Sequence, residues 1–352
     1  MIKLLLHKGD KQDVTKFYTD IILEVIGQPY EVIHKAAQVQ KDDIVVTTSA
    51  IDSFKVLVNE KTCKVINWYQ GIIPEEVHLL GPDFLKSKLP KALKPISNIA
   101  FTTRLLEKTL NLIEKAALKS CSLNIFVSQS MLEHYQSKYG YNKDNYFVMP
   151  CFNTKIVRES FFSEGKYDSL SFAYAGGMHK WQCFDKIAKL YGAIEKINPS
   201  ASLKVLTPDI KEAEEILRSV GATNYTIKHI DNNQIAQQLA TVKYGFLIRK
   251  KHVVNYVSTP TKMSTYMANG VIPIFSDSIG DFVKAFESVR HKLVINDYLN
   301  DDGIVKSILE FNKTKIENQE VFHEYSKLFD DYYSREKYLE RLRKRWDNCF
   351  TR

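Results

Sequence analysis

The stretch Asn255-Tyr-Val-Ser-Thr-Pro-Thr-Lys-Met-Ser-Thr-Tyr-Met-Ala-Asn-Gly-Val-Ile-Pro-Ile-Phe-Ser-Asp277 reads as a loop, a short helix and a buried strand. Ser258 and Thr259 are good N-caps. Pro260 suits the first helical position, where its missing N–H costs nothing, and Asn269-Gly270 can close the helix in a left-handed turn. Such a helix start presents unpaired backbone N–H groups and the positive end of a dipole. Thr261 and Lys262 lie in its first turn, and Arg249, Lys250 and Lys251 just upstream, a combination that suits a phosphate. The same residues also fit an ordinary helix cap beside a solvated basic loop. The rest of the chain has to decide between them.

At 352 residues the chain suits two domains rather than one. An apolar content of 44% and a charged content of 26% are those of a globular protein and exclude disorder. No apolar run approaches the roughly 20 residues that span a bilayer. Met1-Ile-Lys-Leu-Leu-Leu-His7 is too short for a signal-peptide core, so the expected location is the cytoplasm. Cys63, Cys121, Cys151, Cys183 and Cys349 are scattered with no Cys-x-x-Cys pair, which suggests neither a disulfide framework nor a zinc site.

A net charge of +8 admits nucleic acid, an anionic membrane surface or a phosphorylated small molecule as partner. From residue 84 to 120 the bases Lys86, Lys88, Lys91, Lys94, Arg104, Lys108, Lys115 and Lys119 face only Glu107 and Glu114. Their interleaved neighbours are aliphatic more than aromatic, which argues against nucleic acid. The region reads either as a peripheral contact with anionic membrane or as a solvated helix face coated by lysine side chains.

Strand-like apolar runs alternate with helix-period runs throughout. Strands are expected at residues 1–7, 30–34, 43–48, 64–68 and 123–128, with helices near 14–26, 107–119 and 130–139. The pattern restarts after Pro150-Cys-Phe-Asn153. Strands are then expected at 170–175, 203–206, 225–230, 244–249 and 292–295, and helices at 183–197, 210–220, 233–241 and after Asp281. This is the βαβ patterning of parallel sheets covered on both faces, in two Rossmann-like, doubly wound α/β domains. The expected divisions are 1–150, 151–318 and a helical tail, 319–352, packing back across the junction. In open parallel sheets ligands bind outside the carboxyl ends of the strands. Those ends carry His7, Lys8, Gly9, Thr48, Trp68, Gln70 and Gly71 in the first half. In the second they carry Gly176, Gly177, Thr207, Asp209, Arg249 and the loop into Pro260.

Four patches in order carry a family resemblance. They are Trp68-Tyr-Gln-Gly-Ile-Ile-Pro-Glu75, Phe126-Val-Ser-Gln-Ser-Met-Leu132 with Val148-Met-Pro-Cys-Phe-Asn153, Phe172-Ala-Tyr-Ala-Gly-Gly177 with Lys180-Trp-Gln182, and Tyr244-Gly-Phe-Leu-Ile-Arg249 with Ser258-Thr-Pro-Thr-Lys262 and Tyr266–Ile274. The chain resembles the two-domain GT-B glycosyltransferases, in particular the retaining, family-four-like group that builds bacterial surface polysaccharides such as capsule and lipopolysaccharide. The resemblance implies a GT-B fold with the two domains facing across a cleft. It makes 1–150 the acceptor-binding domain and 151–318 the nucleotide-sugar domain. It implies sugar transfer from a nucleoside diphosphate, by default a UDP-sugar, to a hydroxyl of a glycan or lipid-linked oligosaccharide. No metal or other cofactor is then needed, because a helix start and fixed cations stabilise the leaving diphosphate.

On that resemblance Arg249 and Lys262 serve the diphosphate, helped by Lys180, Thr261 and the close backbone approach at Gly176 and Gly177. Thr207, Asp209, Ser258, Thr259 and Thr265 complete the donor side, and Lys8, Trp68, Gln70 and Gly71 the acceptor side. Glu75, Glu76 and His78 are placed to orient or deprotonate the acceptor, or simply to furnish the acids of a helix first turn. Trp68 and Trp181 offer stacking surfaces or core. The family's two glutamates eight positions apart are here Val257 and Thr265. Thr265, Ser264 or another group must then hydrogen-bond the ribose. A nucleotide-sugar epimerase shares the architecture but needs several acids around the sugar, and the second half offers Asp209 and Asp231. A non-catalytic basic binding module is the other alternative.

Overall fold

The computed structural model describes residues 1–6, 13–88, 99–231, 234–296 and 299–350, without the side chains of 13, 14, 82–88 and 99–103. Lys8, with His7 and Gly9, lies outside the described residues, as do the side chains of Lys86, Lys88, Lys91 and Lys94. The chain divides into two units, Met1–Pro150 with Arg335–Arg352, and Cys151–Ser334.

The first unit carries strands β1 (Ile2–Leu5), β2 (Tyr30–Ile33), β3 (Ile44–Thr47), β4 (Lys64–Tyr69), β5 (Leu123–Phe126) and β6 (Tyr146–Val148). They form one parallel sheet in the order β2-β1-β3-β4-β5-β6. β1 and β5 are buried along their whole length, because a parallel sheet with helices on both faces leaves no wet side. Helices α1 (Asp13–Ile26), α2 (Ala50–Asn59), α3 (Ile73–Lys88, broken at Gly81), α4 (Ile99–Ser120) and α5 (Gln129–Tyr139) connect the strands. The start of α5 follows from sequence: Ser128 caps it, its hydroxyl accepting from the Met131 N–H at 2.8 Å. The chain's last helix, Arg335–Phe350, packs on α1 within this unit, and Arg335 pairs with Glu24.

The second unit repeats the plan with β7 (Ser171–Ala175), β8 (Ser202–Leu206), β9 (Tyr225–Lys228), β10 (Tyr244–Leu247), β11 (Ile272–Ser276) and β12 (Leu293–Ile295). All are parallel, in the order β12-β11-β10-β7-β8-β9. Counted within the unit this is the doubly wound order 3-2-1-4-5-6, and its direction reverses between β7 and β10. The helices are α6 (Arg158–Phe161), α7 (Phe184–Ile197), α8 (Ile210–Ser219), α9 (Ile235–Leu239), α10 (Val253–Tyr256), α11 (Lys262–Ala268), α12 (Gly280–Ala285), α13 (Asp301–Asn312) and α14 (Asn318–Asp331). The tail is therefore shared: α14 belongs to the second unit and Arg335–Phe350 to the first. α14 docks through fully buried Tyr325, whose hydroxyl donates to the His291 carbonyl at 2.6 Å.

Candidate functional site

The residues that matter gather where the second sheet reverses direction. β7 runs into Gly176-Gly177, then a single 3-10 turn at Lys180–Gln182, then α7. β10 runs into Ile248-Arg249 and on through α10 to α11. α11 is seated by Tyr266, whose buried hydroxyl accepts from the Ala175 N–H at 2.9 Å and donates to the Phe246 carbonyl at 3.3 Å. One side chain thus ties the helix to the ends of both strands flanking the switch point.

Arg249 is 5% exposed. Its N–H donates to the Ser276 hydroxyl at 2.9 Å, and its carbonyl accepts from Ser278 at 3.1 Å. Its Nη1 donates to the Trp181 carbonyl at 2.8 Å and to Gln182 Oε1 at 2.6 Å. Lys262 Nζ donates to the same Gln182 Oε1 at 2.5 Å and lies 4.4 Å from the centre of the Tyr174 ring. Two cations therefore converge on one neutral oxygen. Among the described residues neither forms an ion pair with a carboxylate. Burial, and then the neighbouring Arg249 charge, push the Lys262 ammonium well below the ordinary lysine range. Burial also pushes the Arg249 guanidinium down. Like charges held together out of water without a counterion are costly. An anion entering between them removes that cost.

The backbone is shaped to the same end. Gly176 has φ of 139°, and a Cβ there would fall on the end of the Lys262 side chain, so this turn requires glycine. Gly177 lends its carbonyl to the Tyr174 hydroxyl at 2.5 Å. Asp209 faces the turn, its Oδ2 accepting from the Met178 N–H at 2.9 Å, and its own N–H is held by buried Thr207 Oγ1 at 3.1 Å. Lys180 is exposed at the rim, and Trp181 is half-buried with His179 stacked on its ring at 4.6 Å.

The opening helix departs from expectation at its start. α11 begins at Lys262, with Thr261 as its N-cap residue and no side-chain cap. Ser258 donates instead to the Asn255 carbonyl at 2.9 Å, and Thr259 accepts from the Cys151 N–H at 3.0 Å. α10, led by His252, takes up the loop before them. Gly270 does close the helix with φ of 66°. Thr265 and Ser264 both donate to the Thr261 carbonyl, at 3.0 and 2.9 Å. Their hydroxyl protons are engaged, leaving lone pairs to accept. Seven helical residues make a weak dipole, so the electrostatics here rest on the two side-chain cations.

On the first unit, Trp68 is 0% exposed and stacked on Tyr18 at 4.3 Å and 16°. It is core and offers no face to a sugar, because the fourth strand of a two-sided sheet buries every side chain after its first residue. Gln70 is exposed, and Glu76 packs its carboxyl against Gly71. Glu75 is clamped, its Oε1 meeting His134 Nε2 at 2.9 Å and Lys138 Nζ at 2.5 Å. Burial alone would raise its pKa, but these bonds outweigh burial and hold it below the ordinary carboxylate range. That environment makes it a poor base. His78 is 68% exposed in its side chain and faces Glu107 at 3.3 Å. The structure brings Arg249, Lys262, Gly176, Gly177, Thr207 and Asp209 together, while Glu75 and His78 make separate contacts with other partners.

No protein-family model matches the chain, and no curated protein matches its sequence. Solved structures do match its fold. The sucrose-phosphate synthase of Thermosynechococcus elongatus superposes with a TM-score of 0.67 at 12% identity, over 99% of both chains. WaaG, described as a glycosyltransferase involved in lipopolysaccharide biosynthesis, gives 0.63 at 10% identity over 97% of this chain and 99% of its own. TarM of S. aureus, solved with UDP, gives 0.62 at 12% identity over 89% of this chain. The chain spans 56% of the length of that TarM chain and 58% of pneumococcal GtfA. The fold is GT-B, with two Rossmann-like α/β units.

Proposed function

We propose that the protein is a glycosyltransferase that moves a sugar from a nucleoside diphosphate, UDP by default, to a hydroxyl of a glycan or lipid-linked acceptor. The observation that carries this reading is the convergence of Arg249 and Lys262 on a neutral oxygen with no carboxylate to balance them. In the reaction the bond from the anomeric carbon to the diphosphate oxygen breaks and a bond to the acceptor oxygen forms. The acceptor proton passes to the departing phosphate, which favours a retaining, front-face course and asks no base of the protein. Charge grows on the diphosphate as it leaves, and two fixed cations meet it without reorganisation. Those cations fill the place a metal would otherwise hold, so transfer is expected to persist in EDTA. TarM, an architectural neighbour, is described in complex with UDP, which supports the choice of base.

A partner surface belongs to the same reading. On α4, Arg104, Leu105, Lys108, Leu112, Lys115 and Lys119 are exposed, and Leu105 and Leu112 are 56% and 70% exposed. Glu107 is engaged by His78, and Glu114 is 1% exposed. A basic face carrying two bare leucines fits an anionic lipid surface, where a lipid-linked acceptor would be found. Among the described residues no helix is long and apolar enough to cross a membrane.

The test is a thermal-shift panel in EDTA with UDP, GDP, dTDP, CMP and their sugar conjugates, followed by transfer assays with whichever diphosphate stabilises. A ligand at about 100 times its Kd adds about 2.7 kcal/mol. Stabilisation by one nucleotide family, lost in Lys262→Ala, supports the assignment. No shift with any nucleotide, with or without magnesium, refutes it. Salt-sensitive binding to anionic vesicles and not to oligonucleotides supports the surface, and the reverse refutes it.

A further inference from the structure

Among the described residues Gln182 is the group that hydrogen-bonds both cations, and its geometry is that of a stand-in. Its Oε1 accepts from Arg249 Nη1 at 2.6 Å and from Lys262 Nζ at 2.5 Å. A single oxygen between a guanidinium and an ammonium is the arrangement a phosphate oxygen would take up. An amide oxygen carries only a partial charge, so it satisfies the two donors without neutralising them. Lys262 accordingly stays well below its ordinary pKa with Gln182 in place.

The turn bearing Gln182 is suited to release it. Lys180–Gln182 is a single 3-10 turn, and the next residue, Cys183, takes a left-handed conformation with φ of 52° although it is not glycine. A non-glycine residue held there is strained. Arg249 Nη1 also grips the Trp181 carbonyl at 2.8 Å, so the same cation holds the turn by its backbone while the amide is free to leave. Trp181, with His179 against its ring, rides on that turn.

We infer that Gln182 is a placeholder: its amide oxygen occupies a phosphate-oxygen position between Arg249 and Lys262 while the site is free, and the donor diphosphate displaces it. This rests on the diphosphate reading of the site. In the free protein the amide keeps two like charges from facing each other bare. On binding it gives up two charge-assisted hydrogen bonds, which a full phosphate charge more than replaces. Gln182 is thus a positioning residue that competes with the substrate, the reverse of a binding residue.

The test compares wild type, Gln182→Ala and Gln182→Glu, with inorganic pyrophosphate and UDP as probes, by titration calorimetry and by thermal melting in anion-poor buffer. A placeholder predicts opposite signs for stability and affinity. Q182E pairs a carboxylate with both cations, melts higher than wild type, and binds pyrophosphate at least about tenfold more weakly. Q182A melts lower than wild type in anion-poor buffer, regains the difference when pyrophosphate is added, and binds pyrophosphate more tightly. If wild type binds and Q182A binds no tighter, the placeholder is overturned while the diphosphate site stands. If wild type binds neither probe, the site reading fails and the placeholder with it. Should Q182A not fold, the isosteric Q182E decides alone: undiminished pyrophosphate binding by that variant overturns the proposal.

Discussion

Each unit of this protein carries a knot of buried charge, and the two are built on opposite principles. In the first unit Glu75, Glu114, His134 and Lys138 form a set in which the acids meet a lysine, though among the described residues Glu75 Oε2 is left without a hydrogen-bond partner. Lys138 lies 2.5 Å from Glu75 and 3.7 Å from Glu114, His134 meets Glu75, and Glu114 also accepts from Tyr135 at 3.0 Å and Tyr139 at 2.8 Å. In the second, Arg249 and Lys262 share an amide oxygen and no acid. The first set brings acids and a lysine from α3, α4 and α5 together and so links those helices. Charges left unbalanced at a sheet switch point are what the proposed diphosphate would meet.

The largest expected effect breaks the open pair. Lys262→Ala should lower the rate of transfer by about a thousandfold, the scale of losing one fixed electrostatic contact to a transition state. Its melting temperature should hold or rise, because a buried like-charge contact is removed. A variant that loses activity only by unfolding would erase the contrast with the first unit.

Next comes the set in the first unit. Lys138→Met leaves Glu75 and the 1% exposed Glu114 without their shared cation, and urea unfolding should show a loss of about 3 kcal/mol. Burial already holds the Glu114 carboxyl above its ordinary range, so this variant should recover part of its stability as the pH falls and that group takes a proton. Unchanged stability would mean that the cluster is solvated and the comparison is false.

A third effect is the pH dependence of nucleotide binding. Lys262 binds its proton more weakly in the folded protein than in the unfolded chain, so its contribution destabilises at low pH and is relieved as pH rises through the folded value towards 10.5. A bound diphosphate reverses this by favouring the charged amine. Binding should therefore take up a proton, and affinity should fall with rising pH by up to about tenfold per unit once the free amine is neutral. Calorimetry in two buffers of different ionisation enthalpy reads the proton count, and no uptake at any pH would contradict the charge state assigned here.

The smallest effect concerns the ribose. Thr265 already donates to the Thr261 carbonyl, so Thr265→Ala should change the ratio of UDP to pyrophosphate affinity by less than about threefold. A larger loss would show that its lone pairs hold the nucleoside, in the place of the missing carboxylates.

Much of this was legible beforehand. The parallel strands β4, β5, β7, β10 and β11 stand out because apolar runs bounded by turn residues are written locally, and the Gly270 stop falls where the sequence places it; Ser128, which the sequence pattern leaves at a strand end, is instead the cap of α5. α2 and α13 are missing from the sequence reading although each opens on a local start signal, Ser49 and Asn300 capping them through their side chains. At the site, Arg249, Lys262 and Gly176 were named from sequence, because strand-end position and residue type carry that information. Gln182 was quoted but given no role, and Tyr174 and Tyr266 look like any core tyrosine. Their parts depend on distances across 80 and 91 residues of chain. Ser258 and Thr259 do not cap α11 and Trp68 is core: Ser258 turns back to the Asn255 carbonyl three residues away, while Thr259 and Trp68 meet Cys151 and Tyr18, partners far off in sequence.

The measurement that bears most directly on the central claim is a calorimetric titration of UDP in EDTA into wild type and Lys262→Ala, with their melting curves recorded alongside. The account predicts binding by wild type, coupled to proton uptake at a pH high enough to neutralise the free Lys262 amine, and at least about a hundredfold weaker binding by the variant, an electrostatic contact of about 3 kcal/mol, with no loss of melting temperature. Equal binding by the two proteins, or none by wild type, would contradict it.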